Sequence, residues 1–183
     1  MENLELKVRV SKVGLGIIDI NDFKYNLIKV DTVRFKDFPV LVPVFDQVEE
    51  GDCLLLTRYK VTRMENSNDP VELCIRIEAF EIVEREGFEM SEYLNVKVRG
   101  ILTGSEKCYL KTVGPDKRAF FMCTIKLEDD FRETFGILLV AFNTNAKKLS
   151  TIAFTSSVAA EVTIRPKLKV PGYEMAVIRI DKV

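Results

Sequence analysis

Basic and aromatic side chains share the segment KRAFFMCTIKL, which spans residues 117–127. Neighbouring side chains of an extended strand point to opposite faces, so Phe120 and Phe121 cannot both enter one core. The phase that contains Phe121 is apolar and is expected to face inward: it continues with Cys123, Ile125 and Leu127. The phase that contains Phe120 is mixed and is expected to face outward: it continues with Met122, Thr124 and Lys126. An outward aromatic ring on a cationic face can stack on bases, while the cations contact phosphates.

The sequence gives little support for catalysis or for metal binding. The sequence contains no histidine, which removes Ser-His and Cys-His nucleophile pairs and most catalytic zinc sites. The four cysteines are widely spaced and form no CxxC pair, so neither a zinc site nor another cofactor is expected: they are Cys53, Cys74, Cys108 and Cys123. We therefore do not expect an enzyme.

Composition indicates a soluble globular protein without a membrane span. The chain has 183 residues, of which 47% are hydrophobic and 30% charged. The longest uninterrupted apolar run, residues 137–142, is far shorter than the roughly 20 residues that a membrane helix needs. The charged, alternating start MENLELKVRV is unlike a signal peptide, so a cytoplasmic location is expected.

A repeated strand pattern predicts two similar domains. The stretch LELKVRV at 4–10 returns as LNVKVRG at 94–100, an offset close to half of the chain. The polar segment EREGFEMSEY at 84–93 separates the two copies and lacks alternation. We predict a first barrel over residues 1–86, a linker over 87–93 and a second barrel over 94–183.

The first half reads as five strands. The alternation and turn signals predict strands near 4–13, 23–34, 38–45, 53–63 and 71–84. The turns are expected at 21–22, 51–52 and 65–70. A change of apolar phase in the last strand predicts a β-bulge near Glu78 and Ala79. The proline-flanked apolar stretch FPVLVPVF at 38–45 is expected to be an edge strand or a strand entry.

The second half reads as strands interrupted by one helix. Five strands are expected, near 94–102, 107–113 continuing after a turn at 118–127, 133–142, 158–168 and 173–182, with the helix near 143–153. Strands of this length expose their edges in a flat sheet, and closure into a small barrel removes those edges. The fold class is therefore all-β: two tandem five-stranded OB-like Greek-key barrels, the second with a short helix between its third and fourth strands. Phe142 is expected in the core.

Two motifs in the second half resemble bacterial-type single-stranded DNA-binding proteins. GILLVAFNTNAKKL at 136–149 is similar to the third strand and following helix of that family, and LNVKVRGILTG at 94–104 is similar to its opening strand. The resemblance covers roughly residues 94–182. The chain has no tryptophan and closes with the strand AVIRIDKV, where family members carry an acidic tail. The resemblance therefore implies a divergent tandem-OB protein of mobile-element or phage type that binds single-stranded DNA in replication, recombination or transfer.

Charge is divided unequally between the halves. Residues 1–90 contain 12 Lys and Arg against 18 Asp and Glu, whereas residues 91–183 contain 15 against 10. Because phosphate binding depends on lysine and arginine, the second half is the expected nucleic-acid-binding half. Its candidate binding residues are Lys97, Arg99, Lys107, Tyr109, Lys111, Lys117, Arg118, Phe120, Lys126, Lys167, Lys169 and Tyr173.

Two alternative hypotheses remain open. The acidic first half, with its apolar stretch at 38–45, suits contact with a protein surface: packing on the second half, dimerisation or docking of a replication protein. The whole chain could then be a structural or protein-interaction module that binds no nucleic acid. RNA in place of DNA is also open, because OB barrels serve both.

Overall fold

The computed structural model of the protein describes residues 3–63, 73–128, 136–170 and 172–183. These residues contain twelve β-strands and one α-helix. Backbone contacts divide them into two compact units, and the chain passes from the first to the second between Leu94 and Asn95. The expected turn at 65–70 and the starts of the expected strands at 71 and 133 lie outside the described residues.

The first unit is a closed barrel. Its strands are β1 (Leu6–Lys12), β2 (Ile17–Ile20), β3 (Phe23–Asp31), β4 (Phe38–Pro43), β5 (Cys53–Arg63) and β6 (Leu73–Val83). Five of them form a ring in the order β1-β3-β4-β6-β5, and β5 returns to β1. Only β4 and β6 run parallel within that ring.

The additional strand β2 was not foreseen. It pairs with β3 in a hairpin whose two turn residues are Asn21 and Asp22, as the turn signal predicted. Both residues have positive φ, 48° and 67°, which is the conformation that favours tight hairpins with the right-handed strand twist. The hairpin therefore adds a short outer strand alongside the first four residues of β3.

Two other features of the first unit concern its pairing. The bulge is confirmed, because Arg58 pairs with Ala79 and Tyr59 pairs with Ile77, which leaves Glu78 unpaired in the ladder. Of the two alternatives for the stretch at 38–45, the edge strand is wrong: β4 pairs with β3 along its length and with β6 at Val40 and Leu41. Pro39 instead lies at the entry of the strand, as its second residue. Apolar side chains are buried on both of its faces, which explains why its sequence is a continuous apolar run.

Residues of the expected linker belong to the first unit. The Ser91 amide donates to the Lys7 carbonyl at 2.8 Å, and the Arg34 amide donates to the Glu92 carbonyl at 2.9 Å. These backbone bonds attach the segment to β1 and to the loop that follows β3.

The second unit repeats the ring with a helix inserted. Its elements are β7 (Asn95–Thr103), β8 (Lys111–Val113), β9 (Arg118–Leu127), β10 (Ile137–Phe142), α1 (Asn143–Thr151), β11 (Ser157–Pro166) and β12 (Tyr173–Lys182). The ring runs β7-β9-β10-β12-β11, β11 returns to β7, and β8 extends the start of β9. Only β10 and β12 are parallel within it. Ala146 and Leu149 bury one side of α1, which contacts β9, β10 and β12.

This arrangement confirms the predicted fold class. In each unit the first strand pairs with the second and fourth, and the third pairs in parallel with the fifth, which is OB topology. The predicted strand at 107–113 is shorter than expected, since only residues 111–113 pair with β9.

Candidate nucleic-acid interface

The β9 strand presents Phe120 on the outside of the second barrel. Phe121, Cys123, Ile125 and Leu127 are buried, whereas Phe120 is half-buried and Met122 is exposed. Burial raises the pKa of the Cys123 thiol to about 12, as expected for a side chain that points into an apolar interior. The alternation in the sequence therefore assigned both phases of this strand correctly.

Phe142 joins Phe120 on the same outer face. The two residues are directly opposite each other in the β9–β10 ladder, and their ring centroids are 5.2 Å apart at an interplanar angle of 52°. The expectation that Phe142 is a core residue is wrong. Ala141 occupies the inward position instead, opposite Phe121, because side chains alternate along β10.

Two arginines approach the Phe142 ring from different strands. The guanidinium carbon of Arg118 is 5.0 Å from the ring centroid, and that of Arg165 is 5.8 Å from it. Both distances lie within the range of cation–π attraction. We call Arg118, Phe120, Phe142 and Arg165 the aromatic–arginine cluster.

Each arginine of the cluster also has a carboxylate partner. Arg118 Nε lies 3.6 Å from Asp116, and both of these side chains are largely exposed. Arg165 lies 3.7 Å from Glu174, which is only 8% exposed. Each pair joins one guanidinium to one carboxylate, but the Asp116 carboxylate is exposed to solvent whereas the Glu174 carboxylate is largely buried.

The β8 strand and the loops on either side of it carry further cations. Lys111 of β8 is directly opposite Phe120, and its Nζ lies 5.0 Å from the centroid of the exposed Tyr109 ring. Lys117 is exposed in the turn between β8 and β9, and Lys107 is exposed in the loop that precedes β8. These four predicted residues belong to the connection between the first and second strands of the barrel.

The β11–β12 loop carries the next predicted group. Lys167 and Lys169 lie in this loop, whose two ends are joined by the bond from the Lys167 amide to the Gly172 carbonyl. Tyr173 begins β12 opposite Pro166. Leu168, between the two lysines, is 95% exposed. The loop follows directly on the strand end that carries Arg165.

Three predicted residues lie away from the cluster. Lys126 is six residues beyond Phe120 on β9, about 20 Å at the usual rise of a strand. It pairs with Ile101 and, with Arg99, lines a shallow hollow of about 570 Å³. Lys97 is opposite Glu161 in the β7–β11 ladder.

The twelve predicted residues therefore fall into three groups. Six lie between the β7–β8 loop and the start of β9: Lys107, Tyr109, Lys111, Lys117, Arg118 and Phe120. Lys167, Lys169 and Tyr173 lie at the β11–β12 connection, and Lys97, Arg99 and Lys126 lie apart from both groups.

Sequence reasoning missed Phe142 and Arg165. Phe142 ends an apolar run of six residues that has no polar phase to mark its outward side. Arg165 did stand in an alternating strand, but its approach to Phe142 depends on the order of strands in the closed barrel. The register between strands and the closure of the barrel are set by tertiary contacts, so the local sequence does not reveal these two positions.

The described part of the chain contains neither a candidate metal-binding cluster nor a membrane-spanning helix. Within residues 3–63, 73–128, 136–170 and 172–183, no group of three or more His, Cys, Asp or Glu side chains could hold a metal ion. No helix in the same ranges is long and apolar enough to cross a membrane.

Tandem closed barrels of OB topology define the structural class, and solved proteins share it. A deletion mutant of the single-stranded DNA binding protein from Thermus aquaticus matches with a TM-score of 0.68 at 12% identity, covering 100% of this chain and 94% of that one. The wild-type protein from Thermus aquaticus matches with a TM-score of 0.66 at 12% identity, covering 100% and 93%. At this identity the likeness establishes a shared fold. No protein-family model and no curated protein sequence matches the chain.

Proposed function

We propose that the second unit binds single-stranded DNA with little sequence preference. The observation that carries this proposal is the Phe120–Phe142 ring pair on an outer barrel face, with Arg118 and Arg165 beside it. In OB folds, oligonucleotides bind on the face of the second and third strands and on the loops that flank it. Here those strands are β9 and β10.

The chemistry of this face suits a strand with unpaired bases. An aromatic ring can stack on any base, because every base has a π-face, and each stack is worth about 1–3 kcal/mol. The neighbouring lysines and arginines can neutralise phosphates and release their counterions. Neither interaction reads base edges, so little sequence preference is expected. Binding of this kind requires no bond-making step and no cofactor.

The likeness to the Thermus aquaticus protein supports the same proposal. That protein is named for binding single-stranded DNA, and its whole fold is shared by this chain. We propose that this chain acts on cytoplasmic single-stranded DNA during replication, recombination or transfer. The divergence of its sequence suits a mobile-element or phage origin.

Titration of labelled oligo-dT tests the proposal. Fluorescence anisotropy should show binding at micromolar protein or below at about 50 mM salt, and markedly weaker binding at about 200 mM, because counterion release is lost. Oligo-rU of the same length tests whether the sugar matters. Undetectable binding to both oligonucleotides at micromolar protein and low salt would exclude this function.

A second candidate function concerns the first unit. Phe45 is 91% exposed in the loop that follows β4, among the acidic residues Asp46, Glu49 and Glu50. An exposed aromatic side chain among acids suits contact with a protein better than contact with DNA. We propose this loop as a contact for a second copy or a replication protein. Light scattering that shows a large fixed oligomer, together with no affinity for nucleic acid, would favour an interaction module alone.

A further inference from the structure

Glu174 is a largely buried carboxylate near the start of β12, opposite Arg165 in the β11–β12 ladder. Its neighbour Met175 and the residue opposite that neighbour, Ile164, both point into the barrel and are fully buried. Because side chains alternate, Glu174 and the opposite Arg165 share the outer face. Glu174 is nevertheless only 8% exposed.

The strand order gives Glu174 a specific position relative to Arg165. Arg165 stands on β11 and its guanidinium lies 5.8 Å from the ring of Phe142, which ends β10. Since β12 lies between β11 and β10, the Arg165 side chain must cross β12 to reach that ring. Glu174 is on the crossed strand, and its Oε2 lies 3.7 Å from Arg165.

The environment of this pair differs from that of the other arginine pair in the cluster. The Glu174 side chain is 11% exposed, whereas that of Asp116, the partner of Arg118, is 65% exposed. Water and salt screen an exposed pair until it contributes little. A carboxylate that is largely removed from water instead depends on its counter-charge.

We infer that Glu174 is a positioning residue that restrains Arg165 over Phe142 and moderates the affinity of the interface for a strand. Part of the attraction of Arg165 for a phosphate is offset by the carboxylate that holds it. The guanidinium is thereby ordered before a strand arrives, and the bound strand is held less tightly than an unrestrained arginine would hold it. This inference rests on the proposed function only where it concerns affinity.

The first experiment measures the position of Arg165 without DNA. In the wild-type chain, the Arg165 Nε–H resonance should show a ring-current shift from Phe142 and slow exchange with water. Phe142→Leu should remove the ring-current shift, and Glu174→Gln should return the resonance towards that of a solvated arginine. An Arg165 resonance already at the solvated position in the wild type would overturn the inference, with no variant required to fold.

The second experiment measures affinity. Glu174→Gln should tighten oligo-dT binding at low salt by about threefold or more, since one cation is released from a buried carboxylate. The log–log salt dependence should steepen by up to about 0.7, the value for one further phosphate contact on a single strand. In an Arg165→Ala background, Glu174→Gln should change neither quantity appreciably.

Asp116→Asn is the matched control, because it removes the carboxylate from the other, exposed arginine pair. It should leave affinity within about twofold, as expected for a screened pair. Equal effects of Glu174→Gln and Asp116→Asn, or a Glu174→Gln effect that persists without Arg165, would contradict the inference. If no oligonucleotide binds while the Arg165 resonance responds to Glu174→Gln, the proposed function fails and the positioning role stands.

Discussion

At the scale of single residues, the interface depends on two phenylalanines that a barrel would ordinarily keep inside. Each ring exposes apolar surface on the outer face, and this cost is partly offset by the ring–ring contact, worth about 0.5–1.5 kcal/mol. The two guanidinium groups near Phe142 add cation–π attraction. The cluster is therefore assembled in the free protein, which would reduce the ordering cost of the proposed binding.

Removal of either ring should weaken binding. Phe120→Ala and Phe142→Ala should each lower the affinity for oligo-dT by about fivefold or more, because each removes a stacking surface worth about 1–3 kcal/mol per base. Since both rings are outside the core, the melting temperature should fall by only about a few degrees, the cost of losing their mutual contact. Anisotropy titration and thermal melting measure the two quantities.

Phe45→Ala is the matched control for this prediction. It removes an exposed ring from the first unit and should leave the affinity unchanged. If the two variants of the cluster bind as tightly as Phe45→Ala, the bases do not stack on this face.

At the scale of elements, the barrel depends on a close approach between β7 and β9. A Cβ at Gly100 would clash with the Lys126 carbonyl oxygen and lie 2.8 Å from the Ile125 side chain. Gly100 pairs with Leu127 on one side and with Val158 on the other. A side chain here would separate strands that close the ring, so glycine is required by space.

Gly100→Ala should therefore destabilise the second unit. We expect a loss of about 1–3 kcal/mol in the free energy of unfolding, the usual cost of forcing a methyl group into a filled site. Urea unfolding followed by circular dichroism measures the loss. Ile101→Ala, on the exposed side of the same strand, should stay within about 0.5 kcal/mol. Equal urea midpoints for the two variants would show that the strands can separate without cost.

Local signals predicted some elements well and others poorly. The Asn21-Asp22 turn and the bulge at Glu78 were found because each leaves a mark in the sequence itself, a turn dipeptide or a change of apolar phase. The prolines of β4 predicted either an edge strand or a strand entry, yet Pro39 and Pro43 both lie within its pairing with β3, and β6 pairs on its other side. Which strands flank an apolar run depends on how the ring closes.

At the scale of the whole molecule, two units of the same topology present different outer faces. In the first unit the strands equivalent to β9 and β10 are β3 and β4. Their outer side is closed by a small apolar cluster that is built on buried Leu41 and Cys74, against which the following pack: Ile18, Ile20, Tyr25 and Leu27. Together with the acidic balance of residues 1–90, this difference favours the second unit as the DNA-binding one.

Hydrogen exchange of the full chain tests whether the second unit, rather than the first, binds DNA. Saturating oligo-dT should slow exchange in peptides that cover 118–122 and 138–142, because a bound strand excludes water and restrains β9 and β10. Peptides that cover 38–43 in the first unit should exchange at the same rate with and without DNA. Protection confined to the first unit would reverse the assignment.

The sequence by itself determined the class of elements, their approximate limits, the duplication and the two phases of the β9 strand. These properties follow from local alternation, turn residues and charge, which each segment carries alone. Only the tertiary structure decided that Phe142 faces outward, that β4 is paired on both sides, and that Arg165 lies near both Phe142 and Glu174. Those features depend on register and ring closure, which place residues from distant strands side by side.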